Sequence, residues 1–223
     1  MSQTTTCSQY GHPEFRITTE EKFGLVEPDL NWFMGWLEQS VVEGRRFESG
    51  QTCQVGWLVL EVRLNSDGTF SLWEPDLQAM PIAWKESVST TLMHLRIQKD
   101  VVESVLSASE LSFPSMRQSA IICSRLKKSK SLVLERSQPK GHASGWYFGC
   151  RDADHNHNDV SNLQCVSLYE AVVECAPQVV PYLALPDGTL VCVDTDASPS
   201  IFKDGEPLNF KPESLLAARH SSR

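Results

Sequence analysis

The strongest constraint on the fold is a turn. Asn65-Ser66-Asp67-Gly68 places three side chains that bond their own backbone before a glycine that tolerates positive φ. On one side lies a run rich in Val, Leu and Trp, residues 54–63. On the other lies residues 69–73, and Glu74-Pro75-Asp76 then ends the pattern. Two such runs across this turn predict a β-hairpin.

Helical signals flank the hairpin. Pro28 and Asp29 favour a helix start, and Leu30, Phe33, Trp36, Leu37 and Val41 form a stripe that stops near Gly44. Residues 84–106 hold the longest helical pattern, with Val88, Leu92, Leu95, Val102 and Leu106 at three-or-four spacing. His94 lies inside it and is read as a packing or surface residue. Residues 1–14 are polar, include Gly11 and Pro13, and read as a frayed leader.

Phe113-Pro114-Ser115 breaks the helical pattern, and a boundary is expected there, giving regions 1–115 and 116–223. Short strands are expected at residues 120–123, 132–135, 145–150 and 190–193, with a closing hairpin around Lys203-Asp204-Gly205-Glu206. Residues 151–164 read as a polar loop, 166–174 as a helix, and 179–183 as a short helix. The tail after Pro212 reads as a weak helix. Asp194 and Asp196, followed by Ser198-Pro199, read as a turn. The class expected is α+β, mostly antiparallel sheets with a few packed helices, in two subdomains.

Charge and cysteine usage narrow the function. The formal net charge is -8, and the one basic cluster, Lys127, Lys128 and Lys130, has no aromatic interleaving. Phosphate-backbone binding needs clustered cations, so nucleic acid is not an expected partner. The seven Cys are widely spaced, with no C-x-x-C pair, which argues against a zinc ribbon or a secreted disulfide scaffold. Most sit in apolar runs and read as small buried hydrophobes. No basic-then-apolar leader opens the sequence, and no apolar stretch approaches the ~20 residues of a membrane helix. A cytoplasmic location without membrane association is expected.

No G-x-S-x-G, G-x-x-x-x-G-K-[ST], G-x-G-x-x-G or H-E-x-x-H pattern is present, and no catalytic residue or cofactor is expected. One segment stands out: Arg151-Asp152-Ala153-Asp154-His155-Asn156-His157-Asn158-Asp159. Its oxygen and imidazole groups suit metal ions, but the spacing fits no EF-hand. Three readings stay open: a plain polar loop, a metal site, or a recognition loop held by a scaffold. Cys150 beside this His-rich stretch is the one candidate nucleophile–base pairing, against a structural reading of Cys150 as a buried strand end.

Two stretches resemble a known family. Ala120-Ile121-Ile122-Cys123, Ser144-Gly145-Trp146-Tyr147-Phe148-Gly149, a polar acidic insertion, Val166-Ser167-Leu168-Tyr169 and Pro181-Tyr182-Leu183-Ala184-Leu185-Pro186-Asp187-Gly188 succeed one another along the chain. This is similar to the bacterial polymorphic-toxin immunity family thirty-three, over roughly the last hundred residues. Gly50-Gln51-Thr52, Gly56-Trp57, Glu74-Pro75-Asp76, Met80-Pro81-Ile82 and the stretch from Leu95 to Val102 resemble the leader region of longer members. The family's acidic loop is mainly Asp and Glu, whereas this one includes His155 and His157.

The resemblance implies a non-enzymatic protein that binds and blocks a cognate secreted antibacterial toxin, of the kind type VI secretion delivers. A nuclease-like toxin acting in the cytosol fits the absent leader. Asp152, Asp154, His155, His157 and Asp159 are the expected partner-binding residues, with Trp146 and Tyr147 as neighbours and no metal assigned. The alternatives are an effector adaptor or chaperone, and a metal-dependent enzyme using His155 and His157.

Overall fold

Gly56 divides the first β-run in two. In the computed structural model, which describes residues 1–20, 27–195 and 197–221, its φ of 61° turns the chain. Strand β3 (Thr52–Val55) thereby folds back on β4 (Leu58–Leu64), with Val55 opposite Leu58. The expected hairpin comes next, β4 pairing with β5 (Phe70–Pro75) across Asn65-Ser66-Asp67-Gly68. The sequence expectation merged β3 and β4 because Trp57 at the turn reads as a strand residue; it is 1 % exposed and belongs to the core.

The chain divides into two compact units, Met1–Arg96 and Ile97–Arg223. In the first, β1 (Ser2–Gln3) and β2 (Phe15–Ile17) join the sheet in the order β1-β2-β5-β4-β3, with β6 (Trp84–Lys85) also on β5. The pairing of β2 with β5 is parallel, Phe15 opposite Phe70. The expected frayed leader is therefore incorrect. Glu14 accepts from Thr4 Oγ1 at 2.6 Å and from the Ser8 amide at 2.8 Å, and Cys7 is fully buried. These bonds fold the polar segment onto the sheet that its own first strand extends.

Helix α1 (Glu27–Val42) matches the expected stripe, burying Phe33, Leu37 and Val41 on one face. They pack among Phe15, Phe47, Leu60, Val62 and Phe70. Each such side chain contributes about 1.5–3 kcal/mol by leaving water. Helix α2 (Ser89–Val105) starts later than the apolar spacing predicts. Glu74 fixes the start: its carboxylate accepts from the amides of Thr90 (3.1 Å) and Thr91 (2.8 Å) and from Thr91 Oγ1 (2.9 Å). A carboxylate on the first free amides of a helix is the favoured arrangement there.

The boundary between the units lies within α2, at Arg96/Ile97, rather than near residue 115. The Pro114 break ends a local pattern, but the second half of the helix is bonded to chain well beyond that break. Gln98 Nε2 donates to Val180 O at 2.9 Å.

The second unit is a sheet in the order β10-β7-β9-β8-β11-β12-β13. Its strands are β7 (Ser119–Cys123), β8 (Ser131–Arg136), β9 (Ala143–Cys150), β10 (Leu163–Ser167), β11 (Thr189–Asp194), β12 (Ser200–Lys203) and β13 (Glu206–Pro207). Adjacent β7 and β9 run parallel, Ile122 beside Phe148, and the other pairings are antiparallel. Both sheets and the few helices make the class α+β, as expected. Strand β10 was not expected: residues 163–167 read as loop and helix, yet Val166 pairs with Ala120. Sheet pairing overrides local helical spacing there. What remains helical is α3 (Leu168–Glu170), a wider turn over Ala171–Cys175, a tight turn over Pro177–Tyr182, and the tail helix α4 (Leu215–Ser221). Asp196 lies outside the described residues.

Register sorts the sheet into two faces. Ile122, Leu134, Phe148 and Val191 lie opposite one another and are 0–3 % exposed. Ile121, Tyr147, Glu135 and Leu190 share the other, more open face.

Candidate functional site

Arg136 organises the scaffold beneath the site. It is 2 % exposed, and burial lowers its pKa to about 10. Its Nη1 donates to the carbonyls of Ser112 (2.5 Å), Leu183 (3.0 Å) and Leu185. The guanidinium lies 5.4 Å from the Trp146 ring, whose Nε1 also donates to Leu183 O, at 3.2 Å. Trp146 stacks on Phe148 with centroids 5.6 Å apart. The Ser144–Gly149 and Pro181–Gly188 segments therefore meet each other in the interior.

The loop of residues 151–162 leaves the end of β9 and returns as β10. It is cross-braced by its own polar side chains. Asn162 Nδ2 donates to Asn156 O (2.9 Å), and Asp159 accepts from the Ser161 amide (2.9 Å) and hydroxyl (2.7 Å). The Ser161 hydroxyl holds the Asp159 carboxyl below its usual range. Asp154 pairs with Arg125 at 2.7 Å, which lowers the Asp154 pKa, while Asp152 accepts from Ser129 Oγ at 3.0 Å. Arg151 pairs with Asp194 at 2.9 Å.

The expected partner-binding residues thus separate. Asp154 and Asp159 reach the surface, each already engaged by a neighbour. Trp146 is core, 2 % exposed, and presents no surface to a partner. The Tyr147 hydroxyl is buried and has no hydrogen-bond partner among the described residues. Burial, with the nearby Cys123 and Cys150, pushes it up to about 12.

His155 and His157 turn toward the strand ends. One ligand atom from each of Cys123, Cys150, His155 and His157 lies within 4.8 Å of the others. Cys150 Sγ is 3.3 Å from His157 Nε2, and the two imidazoles meet edge-to-face at 4.6 Å. The Cys150 amide donates to Cys123 Sγ at 3.2 Å. The pairing of Cys150 with the His-rich stretch was legible in the sequence; Cys123 was not. Cys123 arrives because β7 lies parallel to β9, so both strands end at the same edge.

A thiol 3.3 Å from an imidazole has the arrangement of a nucleophile and base. Here burial dominates. Cys150 is 1 % exposed, and desolvation pushes its thiol up to about 11, away from the thiolate that attacks. Two sulfurs and two nitrogens are also a donor set for a soft or borderline metal ion.

A concavity of about 970 Å³ runs past Leu132, Val193, Asp194, Leu216 and Arg219. Its lining holds no cysteine or histidine.

Scaffold and loop together define a small α+β domain with an interior built from its sequence motifs and a polar loop at one sheet edge. Residues 97–204 match the family model of the Imm33-like domain. The match starts at Ile97, the first residue of the second compact unit. No curated protein and no solved structure matches the chain. No helix among the described residues is long and apolar enough to cross a membrane.

Proposed function

We propose that the protein is an immunity protein that binds a cognate secreted antibacterial toxin and occludes its active site, without itself turning over a substrate. The observation that supports this most directly is the match of residues 97–204 to the Imm33-like domain. The burial pattern agrees with it. The motif residues Trp146, Phe148, Leu183 and Leu185 are interior, so they specify the scaffold. Recognition then falls to what the scaffold displays, the loop of residues 151–162 and the adjoining open face.

That surface offers mixed chemistry. Val160 is 78 % exposed and Ile121 38 %, and Asp154, Asn156, Asn158 and Asp159 precede Val160 along the loop. An apolar contact next to exposed acids and amides suits a basic cleft, such as one that holds nucleic acid; the charge speeds encounter and the apolar contact slows release. A cytosol-acting, nuclease-like toxin has such a cleft.

The test is co-expression with a toxin-domain reading frame, sought first next to this gene. Restored growth, an isolable complex and loss of toxin activity in that complex are the expected results. No rescue and no complex removes the proposal. A complex in which the toxin stays fully active assigns the chain to effector adaptors instead.

A further inference from the structure

We propose that Cys123, Cys150, His155 and His157 bind one zinc ion as a four-coordinate structural centre. This goes beyond toxin binding and does not rest on it.

The donors fit zinc. Two thiolates and two imidazoles form one of the common closed zinc sets, whereas magnesium and calcium prefer oxygen. With bonds of about 2.0–2.3 Å, neighbouring donors of a tetrahedral centre lie about 3.3–3.8 Å apart. The Cys150 Sγ to His157 Nε2 separation of 3.3 Å is already in that range. All four donor atoms fall within 4.8 Å of one another, so closing the set takes movements of about 1 Å.

Two partnerless polar atoms concentrate at the same place. His155 Nε2 and the Tyr147 hydroxyl are buried without hydrogen-bond partners among the described residues. A buried polar atom left unpaired costs free energy, so each calls for a partner. Coordination uses the imidazole, and a metal-bound thiolate is a strong acceptor for the nearby phenol. Backbone amides already serve the sulfurs: Cys150 N donates to Cys123 Sγ, and the Asp152 amide donates to the Cys150 sulfur. Such outer contacts orient ligands and stabilise the thiolate form.

The charge balances as well. Two thiolates, two neutral imidazoles and Zn²⁺ sum to zero, so the buried centre carries no unpaired charge. With all four positions filled by protein, no site remains for substrate, and the centre is structural. Its sulfurs sit on the ends of β7 and β9 and its imidazoles on the loop after β9. The ion fastens the loop to the sheet.

Full-length untagged protein, purified with a reductant and without chelator, is expected to carry one zinc per chain by elemental analysis. Metal-stripped protein titrated with Co²⁺ is expected to show intense tetrahedral ligand-field bands with a thiolate-to-cobalt charge-transfer band. Cys123→Ser and Cys150→Ser each weaken that charge-transfer band. His157→Ala, a loop change that leaves the sheet intact, is expected to lower zinc affinity at least about 100-fold, the upper end of the cost of losing an outer partner. Zinc is expected to slow amide exchange across residues 151–162 in the wild type alone. A wild-type chain that is metal-free as purified and takes up no cobalt overturns the proposal. So does an octahedral cobalt spectrum without charge transfer, or metal binding unchanged in all these variants.

Discussion

Trp57 Nε1 donates to Nδ1 of His94 at 3.2 Å, and the two rings stack with centroids 5.9 Å apart. The bond makes Nδ1 an acceptor, which requires a neutral imidazole. His94 is 8 % exposed, and burial lowers its pKa from 6.5 to about 4. The folded state therefore holds this proton less tightly than the unfolded chain. Above pH 6.5 both states are neutral here and nothing is lost. As pH falls from 6.5 to about 4, the unfolded state gains a proton first, and stability drops by about 3 kcal/mol. His94→Gln keeps an acceptor for the indole but does not titrate. Urea unfolding at about pH 7, above this window, and at about pH 4.5, near its lower end, is expected to show a smaller acid-induced loss in the variant. Equal losses would show that His94 is not buried as a neutral group.

Arg136 supports a second prediction. Arg136→Met fits an apolar side chain beside Trp146 but leaves the carbonyls of Ser112 and Leu185 without this donor, while Leu183 O keeps Trp146 Nε1. At about 1–3 kcal/mol for each buried unsatisfied group, a loss of at least about 2 kcal/mol is expected in chemical denaturation. A loss below about 1 kcal/mol would mean these carbonyls find other partners.

The long helices and most strands were legible because each buries one face of a regular period. Phe33, Leu37 and Val41 repeat with the helix turn, and Trp146 and Phe148 alternate with the pleat. What failed was non-local. Nothing in residues 1–14 announces that Glu14 will gather the amides of Cys7 and Ser8. Nothing near Val166 announces that Ala120 will pair with it. The candidate site was half legible for the same reason: His155, His157 and Cys150 are near in sequence, while Cys123 joins them through the parallel register of β7 and β9. Trp146 was misassigned to the surface because aromatic residues serve both cores and interfaces, and only packing distinguishes them.

Gly145 supports a third prediction. Its φ is 82°, and a Cβ there would stand 2.0 Å from Ser137 O. That carbonyl belongs to the backbone at the β8–β9 connection, and Ser137 N in turn donates to Gly145 O at 3.0 Å. Neither side can yield without breaking the pairing. Gly145→Ala is expected to cost about 3 kcal/mol or more, strain and steric overlap acting together. The check is the thermal midpoint of the purified variant, or its recovery in soluble form. An unchanged midpoint would mean that β9 enters the sheet differently.

Val160 separates recognition from folding. At 78 % exposure its side chain has little role in holding the scaffold, so a change there leaves the thermal midpoint within about 2 °C. In the proposed complex it is the exposed apolar contact at the end of the polar loop, next to Asp159. Val160→Arg puts a long cation where a basic toxin cleft is expected, adding repulsion to lost packing. For a residue at the centre of an interface, the expected cost is at least about 2 kcal/mol, or roughly a 30-fold weaker Kd. Growth rescue in the co-expression assay is expected to fail at toxin levels the wild type tolerates. Asp76→Ala, half-buried on the other compact unit, serves as the comparison and is expected to rescue normally. Full rescue and unchanged affinity for Val160→Arg would move the binding surface away from this loop.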